Sequence, residues 1–390
     1  MRMMQYDILI AGGGMVGLAL AALLGKAGRQ VAVLEAVCPV DVLPDDEFDL
    51  RVSAISRASQ RLLESIGAWD HVLKRRAAAY ENMVVWDGTG DGSISFKAAE
   101  LGEPDLGHIV ENRVLQAALQ ETLQAYPSVE LLCPVKIQQI ERNAEAMQIT
   151  LTDGRTLGAQ LLVGADGGRS QVRDWADFAL TTEDYGQQGL VCTVQTSLPH
   201  QATAWQRFMP TGPLAFLPLA KPDFSSIVWT LPADKADEIR SWDSARFKKA
   251  LAEALDHKLG DILHCGVRAS FPLRGQHATS YVQERVALVG DAAHTIHPLA
   301  GQGVNLGFKD ALALAEALQG ASDVGSLKVL RRYERARRGD NQFTQKTMEG
   351  FKILFGNTST PWRHLRNQGL NWFDKVPALK YRLARQAMGL

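Results

Sequence analysis

The chain has 390 residues, enough for two or three domains or one large composite fold. Hydrophobic residues make up 46% and charged residues 22%, as in ordinary globular proteins. The net charge of −1 gives the molecule no overall attraction for nucleic acid, so no nucleic-acid partner is expected. The four cysteines have no metal-ligand or redox-pair spacing, and we expect free or buried thiols in a reducing compartment.

The elements at the N-terminus predict a strand, a helix and a second strand at Tyr6–Ala11, Val16–Ala27 and Gln30–Glu35. Residues 8–25 carry no charge and approach the length of a membrane span. However, glycines occupy three consecutive positions within this run, and glycine is a poor helix former. A buried strand, a tight turn and a buried helix explain the run better, and we expect a cytoplasmic protein.

Helices and strands alternate up to about residue 175, after which strand-forming residues with period-two alternation predominate. A buried strand near residue 286 then returns to the first sheet, and helices follow. The sequence therefore predicts an α/β protein with a Rossmann-like domain, an inserted antiparallel-sheet domain and a helical C-terminal region. The expected segments are 1–175 and 283–330 for the Rossmann-like domain, 176–282 for the inserted domain and 331–390 for the helical region.

The first glycine-rich fingerprint follows a strand and opens a helix, which is the context of a dinucleotide-binding turn. Gly12 permits the tight turn, Gly14 lets backbone approach a pyrophosphate, and Gly17 lets the helix pack on the strand. The helix N-terminus attracts phosphate. Glu35 ends the second strand and can accept both hydroxyls of an adenosine ribose. The predicted contacts are Gly12, Gly14, Met15, Val16, Gly17 and Glu35.

A second glycine-rich stretch covers residues 290–305. Asp291 follows a buried strand, and its carboxylate can accept a hydrogen bond from a polyol. Pro298 fixes the chain direction, while Gly301 and Gly303 let backbone N–H groups face a ring beside a helix N-terminus. Because a reduced flavin is an anion, the two stretches together indicate FAD. The predicted flavin contacts are Asp291, Pro298, Gly301, Gly303, Val304 and Asn305, with Asn305 either capping the turn or bonding the ring edge.

A third acid-glycine turn contains Asp166, which either holds the flavin, helps a nicotinamide approach or shapes the sheet. Arg51 and Arg113 are candidate partners for phosphates or for the polyol, with surface arginines as the alternative. His294 and His297 match no complete ligand set, so no metal site is predicted.

These fingerprints together resemble the single-component FAD-dependent aromatic hydroxylases, the group that includes 4-hydroxybenzoate hydroxylase, and within it the ubiquinone-biosynthesis branch. The likeness covers nearly the whole chain, and it is carried by residues 8–17, 49–56, 63–69, 110–116, 164–167, 212–219 and 287–307. The resemblance implies that NADH or NADPH transiently reduces a bound FAD, and that O₂ then supplies an oxygen atom to an electron-rich ring. The implied substrate is a polyprenyl benzoquinol or phenol.

The expected active-site surfaces are a flavin-face loop and an apolar substrate wall. The loop contains Pro298, Gly301 and Gly303, and no residue stands out as a general base. The candidate wall residues, each with ordinary core packing as the alternative, are Phe208, Leu214, Phe216 and Trp229.

Three other functions remain open. A hydroxylase of a small soluble aromatic acid would need an arginine facing the flavin, for which Arg207 and Arg268 are candidates. A flavin-dependent reductase of a prenyl lipid would share the dinucleotide fold and need no oxygen. A non-catalytic FAD-binding member of a biosynthetic complex would share it as well.

The last segment of the chain, residues 345–390, is basic and aromatic. It carries eight Lys or Arg against two acids, interleaved with large apolar side chains. This pattern suits an anionic membrane surface or a biosynthetic complex, and equally a helical pair packed on the body. Because a prenyl tail must be taken from a membrane, a peripheral position at the inner face of the cytoplasmic membrane is one expectation.

Overall fold

The structure is a computed structural model, and it describes residues 4–38, 47–295, 303–356, 367–369, 372 and 376–389. The strands in these residues are β1 Met4–Ala11, β2 Val31–Leu34, β3 Val52–Ser56, β4 Ala78–Tyr80, β5 Asn82–Asp87, β6 Ser93–Lys97, β7 Gly107–Glu111, β8 Val129–Leu132, β9 Ile137–Arg142, β10 Met147–Leu151, β11 Thr156–Gly164, β12 Leu180–Thr196, β13 Thr203–Met209, β14 Gly212–Pro218, β15 Phe224–Pro232, β16 Ile262–Cys265, β17 Ala269–Ala278, β18 Val282–Gln283, β19 Val286–Leu288 and β20 His294–Thr295.

The helices of the described residues lie between and after these strands. They are α1 Met15–Lys26, α2 Arg57–Ser65, α3 Trp69–Arg75, α4 Ala98–Leu101, α5 Asn112–Leu123, α6 Gln171–Trp175, α7 Ala233–Ser241, α8 Ser244–Ala254, α9 Gly303–Leu318, α10 Leu327–Gly356 and α11 Pro377–Met388. A short 3₁₀ turn covers Gly290–Ala292.

The first sheet has a parallel centre in the order β19-β11-β1-β2-β8, extended by the antiparallel strands β18, β10 and β9. Residues 8–10 of β1 and 31–33 of β2 are fully buried, as expected for parallel strands covered on both faces. Helix α1 packs against α5 and α9. The pairing of β19 with β11 shows that the chain returns to this sheet after forming the second one, and the predicted α/β class is confirmed.

The second sheet has nine strands and is mostly antiparallel, as predicted for the inserted domain. It also takes in β5 and β6, which precede the predicted segment 176–282 by many residues. β5 pairs in parallel with β13, and β6 pairs antiparallel with β5. The division of the chain at the predicted boundaries therefore remains a proposal, and the second sheet draws strands from both sides of residue 175.

Helices α7 and α8 cover one face of the second sheet, which we call the covered face. Their buried side chains include Ile239, Phe247 and Leu251. In the strands, side chains at alternate positions point to the same face, and paired residues share a face. The covered face consists of Leu190, Cys192, Val194, Leu214, Phe216, Ile227, Trp229 and Leu231.

Two of the cysteines form a disulfide, so the expectation of free thiols is wrong for this pair. Cys38 and Cys133 are bonded with a Cα–Cα distance of 5.5 Å and a sequence separation of 95 residues. They follow β2 and β8, which are parallel neighbours, so both cysteines lie at the same edge of the sheet. Sequence spacing cannot reveal a pair that is brought together by strand order. Cys192 and Cys265 are free.

The C-terminal helices confirm the predicted helical region. In α11, Ala384 and Met388 pack against a small cluster with Leu101. The Lys380 ammonium lies 3.3 Å from the Glu100 carboxylate. Among the helices that the structure describes, none combines the length and the apolar character needed to cross a bilayer.

Candidate active site

The turn between β1 and α1 has the geometry that the first fingerprint predicts. Gly12 has φ of 107°, and a Cβ there would collide with the carbonyl of Ala165. A Cβ on Gly17 would collide with the carbonyl of Gly12, so the helix needs glycine to pack on the turn. Gly14 provides no side-chain cap for α1, and no atom of the described residues lies within 4 Å of its Cβ position. The helix N-terminus is thus open to an anionic ligand.

Glu35 lies beside this turn at the end of β2. Its Oε2 accepts a hydrogen bond from the Gly13 N–H at 2.6 Å, and its Oε1 accepts one from the Val37 N–H at 2.9 Å. Gln116 donates to the Gly13 carbonyl at 2.8 Å, a contact that the sequence did not reveal. Because each carboxylate oxygen can accept more than one hydrogen bond, Glu35 keeps the capacity to accept ribose hydroxyls.

The two fingerprints meet at the side chain of Val16. A Cβ on Gly290 would lie 3.4 Å from Val16 Cγ1, and a Cβ on Gly307 would lie 2.5 Å from Val16 Cγ2. Val16 therefore packs between Gly290 of the second fingerprint and Gly307 just after it, which leaves the Val16 backbone as the part available to a dinucleotide. Met15 and Val304 are partly buried against the same core. The first turns of α1 and α9 are close neighbours at one edge of the first sheet.

Asp291 lies in the 3₁₀ turn after β19, and its side chain is exposed. The surrounding protein nevertheless raises the pKa of the carboxyl, against the opposing charges of His294 and Arg51. Solvent therefore reaches the Asp291 carboxyl beside Arg51 and His294, and we call the space in front of it the cleft. Gly303 begins α9, and among the described residues no atom lies within 4 Å of its Cβ position. Pro298, Gly301 and His297 lie outside the described residues.

The structure gives the Asn305 side chain a role that the sequence did not predict. Its Oδ1 accepts a hydrogen bond from the Ser56 N–H at 3.0 Å, and its Nδ2 donates to the Ala54 carbonyl at 2.8 Å. The side chain is buried and fastens α9 to β3. These contacts tie the side chain to β3, and its predicted roles as a turn cap or a ring-edge contact remain predictions.

Asp166 also points toward protein. Its Oδ1 accepts a hydrogen bond from the Ser170 hydroxyl at 2.5 Å, and its Oδ2 accepts one from the Val172 N–H at 3.2 Å. These contacts fix the turn after β11, which favours the sheet-shaping alternative over flavin binding. Arg173 reinforces the turn, because its guanidinium donates to the carbonyls of Gly168 and Ala292 at 2.9 and 3.3 Å.

The two candidate arginines differ in how firmly they are held. Arg113 Nε lies 3.5 Å from the Asp49 carboxylate, and the Asp49 N–H donates to buried Glu111 at 2.6 Å. Burial raises the pKa of Glu111, opposed by that N–H and by Arg76. Arg51 is exposed, and its guanidinium lies 5.7 Å from the ring centroid of Phe271.

Arg51 therefore faces the second sheet across the cleft, on the side opposite the covered face. Phe271 pairs with Gly189, whose neighbour Leu190 belongs to the covered face. Phe224 lies on the same side of the sheet by its register in β15, and its ring is 5.4 Å from the ring of Phe48. We call this side of the sheet the open face. By strand register it includes the partly exposed residues Val191, Thr193, Ala215, Leu217 and Val228, and the exposed Phe271.

The predicted apolar wall is wrong for three of its four residues. Leu214, Phe216 and Trp229 lie on the covered face, under α7 and α8. They fulfil the core-packing alternative. Phe208 pairs with Pro213, the residue before Leu214. Because neighbouring residues of a strand point to opposite faces, Phe208 lies on the open face. Period-two alternation predicts that strands have two faces, but it does not say which one the helices cover.

The two candidate arginines of the second sheet also face away from the cleft. Arg207 forms an ion pair with Asp256 at 2.8 Å and donates to the Ala254 carbonyl of α8 at 2.9 Å. Arg268 donates to the Ile239 carbonyl at 3.4 Å, and its guanidinium lies 4.8 Å from the ring centroid of Phe247. Neither guanidinium is directed toward the open face.

Two other features lie outside the cleft. The described residues contain no group of three His, Cys, Asp or Glu side chains that could hold a metal ion. A cavity of about 600 Å³ opens between β9, β18 and the start of α10, lined partly by Arg142, Glu284 and Glu334. None of the candidate cofactor residues borders this cavity.

The comparisons with known proteins agree with the geometry. Residues 5–347 match the family model described as FAD binding domain. The chain is 39% identical to 3-demethoxyubiquinol 3-hydroxylase of Escherichia coli (strain K12), over 98% of each chain. It is 38% identical to the ubiquinone hydroxylase UbiL of Rhodospirillum rubrum, over 98% of this chain and 89% of the relative.

Solved structures show the same fold. The crystal structure of p-nitrophenol 4-monooxygenase PnpA from Pseudomonas putida DLL-E4 matches with a TM-score of 0.80 and 22% identity, covering 99% of this chain and 97% of that one. The chain therefore belongs to the FAD binding domain family. It is an FAD-dependent monooxygenase, and its predicted likeness to the ubiquinone-biosynthesis hydroxylases is confirmed.

Proposed function

We propose that this enzyme hydroxylates the ring of a polyprenyl benzoquinol or phenol in ubiquinone biosynthesis, with NADH or NADPH as the reductant. The observation that carries the proposal is the open face, whose side chains are mostly apolar and include Phe271, the ring that Arg51 faces. Such a surface suits a neutral ring with an apolar tail. The names of the E. coli and R. rubrum relatives support the same substrate class.

The proposed ring position rests on sequence likeness. Segments 205–219 and 340–343 resemble the bacterial enzyme that hydroxylates 2-polyprenyl-3-methyl-6-methoxy-1,4-benzoquinol. The E. coli relative, a 3-demethoxyubiquinol 3-hydroxylase, supports this choice among sister enzymes.

The proposed placement of FAD follows from the open surfaces. The pyrophosphate would lie over Gly14 at the N-terminus of α1, and Glu35 would accept the adenosine ribose hydroxyls. Asp291 would accept a polyol hydroxyl from the bottom of the cleft. The ring would reach the start of α9 at Gly303, whose N-terminal position favours negative charge. Arg51 would then lie between the cofactor and Phe271.

In this proposal the bound FAD supplies the redox and oxygen-transfer chemistry, and the chain supplies positioning and exclusion of water. The open face would orient the substrate ring by contact with Val191, Val228 and Phe271. The tilted rings of Phe48 and Phe224 would add an apolar contact on the same side of the sheet. An electron-rich quinol needs little activation, which is consistent with the absence of a general base among the described residues of the open face.

The alternatives make different demands on the cleft. A small aromatic acid would need a cation on the substrate sheet, and both Arg207 and Arg268 are engaged with α7 and α8 instead. Arg51 is the cation that faces the sheet, and it comes from the FAD-binding side. A prenyl-lipid reductase would act without O₂, and a non-catalytic member of a complex would leave NAD(P)H unoxidised.

The test uses the purified holoprotein with a short-chain demethoxyubiquinol. We expect NAD(P)H oxidation that depends on both the quinol and O₂, with a product heavier by one oxygen atom in mass spectrometry. Oxidation without O₂ would support the reductase, and stimulation only by aromatic acids would support the soluble-acid hydroxylase. Deletion of the gene, followed by mass spectrometry of accumulated quinones, identifies the ring position.

A membrane surface is the proposed partner of the C-terminal region. Among the described residues, one side of α10 exposes Lys328, Arg331, Arg332, Arg335 and Arg338, and α11 exposes Arg382 and Arg385. Exposed cations of this number attract anionic lipid. The variant Arg331→Glu/Arg335→Glu should sediment less with anionic vesicles, while Lys249→Glu/Lys258→Glu, which changes the charge equally elsewhere, should not. Equal loss in both variants, or sedimentation with neutral vesicles, contradicts this contact.

A further inference from the structure

A buried cluster of polar side chains lies directly behind the turn that carries Asp291. Its centre is Asp310 of α9, which is fully buried. Asp310 Oδ2 accepts a hydrogen bond from the Gly290 N–H at 3.1 Å and lies 2.6 Å from His294 Nε2. One carboxylate oxygen thus contacts the chain on both sides of Asp291, at the residue before it and at the third residue after it.

The second oxygen of Asp310 connects this turn to α10. Oδ1 accepts hydrogen bonds from Arg337 Nε at 2.9 Å and from Asn341 Nδ2 at 3.2 Å. Arg337 also donates to Asn341 Oδ1 at 2.6 Å and to Asp340 at 2.7 Å. Arg337 and Asn341 are themselves buried. The carboxylate is therefore satisfied on all sides, as a buried charge must be.

Helix α10 holds the preceding strand as well. The Tyr333 hydroxyl donates to the Leu288 carbonyl at 2.7 Å, at the last residue of β19. The Tyr281 hydroxyl accepts a hydrogen bond from Asn341 at 3.3 Å. Hydrogen bonds thus join the end of β19, the turn that carries Asp291 and helix α10.

The charge state of Asp310 agrees with this arrangement. Burial opposes ionisation, but the charges and hydrogen bonds of His294 and Arg337 outweigh it and lower the pKa of the carboxyl. An ionised carboxylate accepts all four contacts, whereas a neutral amide could accept at only one of the two positions. Packing alone does not require such a charge, because well-packed apolar residues stabilise a core equally well.

We infer that Asp310, fixed by Arg337 and Asn341, is a positioning residue that holds Asp291 in place to bind the FAD polyol. This inference rests on the proposed placement of FAD. Asp291 is exposed in the cleft, so its position depends on the backbone of its turn, and that backbone is held by Asp310. Without the hydrogen bonds to Asp310, the turn could shift and carry the Asp291 carboxylate with it. A displacement of about 1 Å at a binding site is enough to weaken binding.

The experiment is a double-mutant cycle between Asp291→Ala and Asp310→Asn, measured as the dissociation constant of FAD for the apoprotein. Each single variant should weaken FAD binding about 10- to 100-fold, and the double variant should be no weaker than the worse single one. Asp310→Asn holoenzyme should also release more hydrogen peroxide per NAD(P)H oxidised. A merely structural role would lower the melting temperature of the apoprotein without this non-additivity.

Asp105→Asn is the matched control, because Asp105 is a buried carboxylate paired with Arg57 at 3.3 Å outside the candidate site. It should change apoprotein stability and leave FAD affinity unchanged. Full additivity of the two site variants, or unchanged FAD affinity in Asp310→Asn, overturns the inference. Unchanged affinity in Asp291→Ala would instead overturn the proposed placement of FAD, and the inference with it.

Asn341→Ala provides a second route if Asp310→Asn yields no folded protein. It removes one hydrogen bond from Asp310 Oδ1 and leaves the carboxylate in place. FAD affinity should fall about 3- to 10-fold, again without adding to the effect of Asp291→Ala. An affinity equal to that of the unmodified protein counts against the positioning role.

Discussion

The covered and open faces of the second sheet are built from the same strands, yet they differ in almost every property. Residues of the covered face are buried beneath α7 and α8, whereas several of their neighbours on the open face are partly exposed, namely Val191, Ala215, Leu217 and Val228. In β14 and β15 the alternation assigns Phe216 and Trp229 to the core, and Leu217 and Val228 to the cleft. A single residue step therefore separates side chains that stabilise the domain from side chains that are candidates for substrate contact.

The largest expected effect comes from removing a large side chain on the covered face. Phe216→Ala should lower the free energy of unfolding by about 3–5 kcal/mol, because it leaves a cavity in a closely packed core. Urea denaturation measures this loss. Per folded molecule, the KM for quinol should change little. A loss of stability below about 1 kcal/mol would show that this face is not the core of the domain.

A charge on the open face should act on catalysis instead. Val228→Asp places a carboxylate against the proposed substrate ring, and we expect kcat/KM to fall about 100-fold, since an unpaired charge would be desolvated there. Steady-state kinetics and circular dichroism separate this effect from misfolding. Val267→Asp is the control, because Val267 is an 80% exposed valine of the same domain. Equal values of kcat/KM in the two variants would show that the open face does not contact the substrate.

Acid should destabilise the connection between β12 and β13, which contains His200. His200 Nδ1 accepts the Ala202 N–H at 3.1 Å and Nε2 lies 3.0 Å from the Leu219 carbonyl, so the neutral ring fits best. Burial lowers the pKa of His200 from its usual 6.5. The unfolded chain then binds the proton more readily, and stability present above pH 6.5 is lost as the pH falls toward the folded pKa.

The melting temperature should accordingly fall between pH 7 and pH 5, and His200→Gln should flatten part of this slope. His277, whose pKa is also lowered by burial, supplies a second contribution of the same sign. A slope that His200→Gln leaves unchanged would assign the pH dependence to other groups.

The smallest expected effect is on thiol reactivity. It compares Cys192 on the covered face with Cys38 and Cys133 at the edge of the first sheet. Denatured, unreduced protein should show two reactive thiols, Cys192 and Cys265, and reduced protein four. In the native state Cys192 should react slowly, because burial raises its pKa to about 12. Four reactive thiols without reductant would contradict the Cys38–Cys133 bond.

Much of the fold could be predicted from local patterns. The βαβ unit with its glycines follows from sequence, because the turn geometry depends on adjacent residues such as Gly12 and Gly14. Strand order could not be predicted in the same way. The disulfide and the contribution of β5 and β6 to the second sheet both depend on which strands become neighbours.

In the candidate site, likewise, the local sequence does not show which distant residues a side chain will contact. Asp291 is predicted as a site residue because it follows a strand at the edge where ligands bind. Asn305 and Asp166 have the same chemistry, but the structure directs both toward nearby backbone. Asp310 was missed because its partners Arg337 and Asn341 lie on another helix, and no local spacing marks the pair.

The position of Val16 between Gly290 and Gly307 has a consequence for how the protein is made. Domains generally fold as units while the ribosome is still adding residues. Here the turn after β1 lacks its packing partner until residues 290–307 have emerged. A nascent chain that ends before α9 would contain the first fingerprint and still be unable to enclose a flavin. Acquisition of yellow colour during synthesis would thus mark the arrival of the second fingerprint, late in translation.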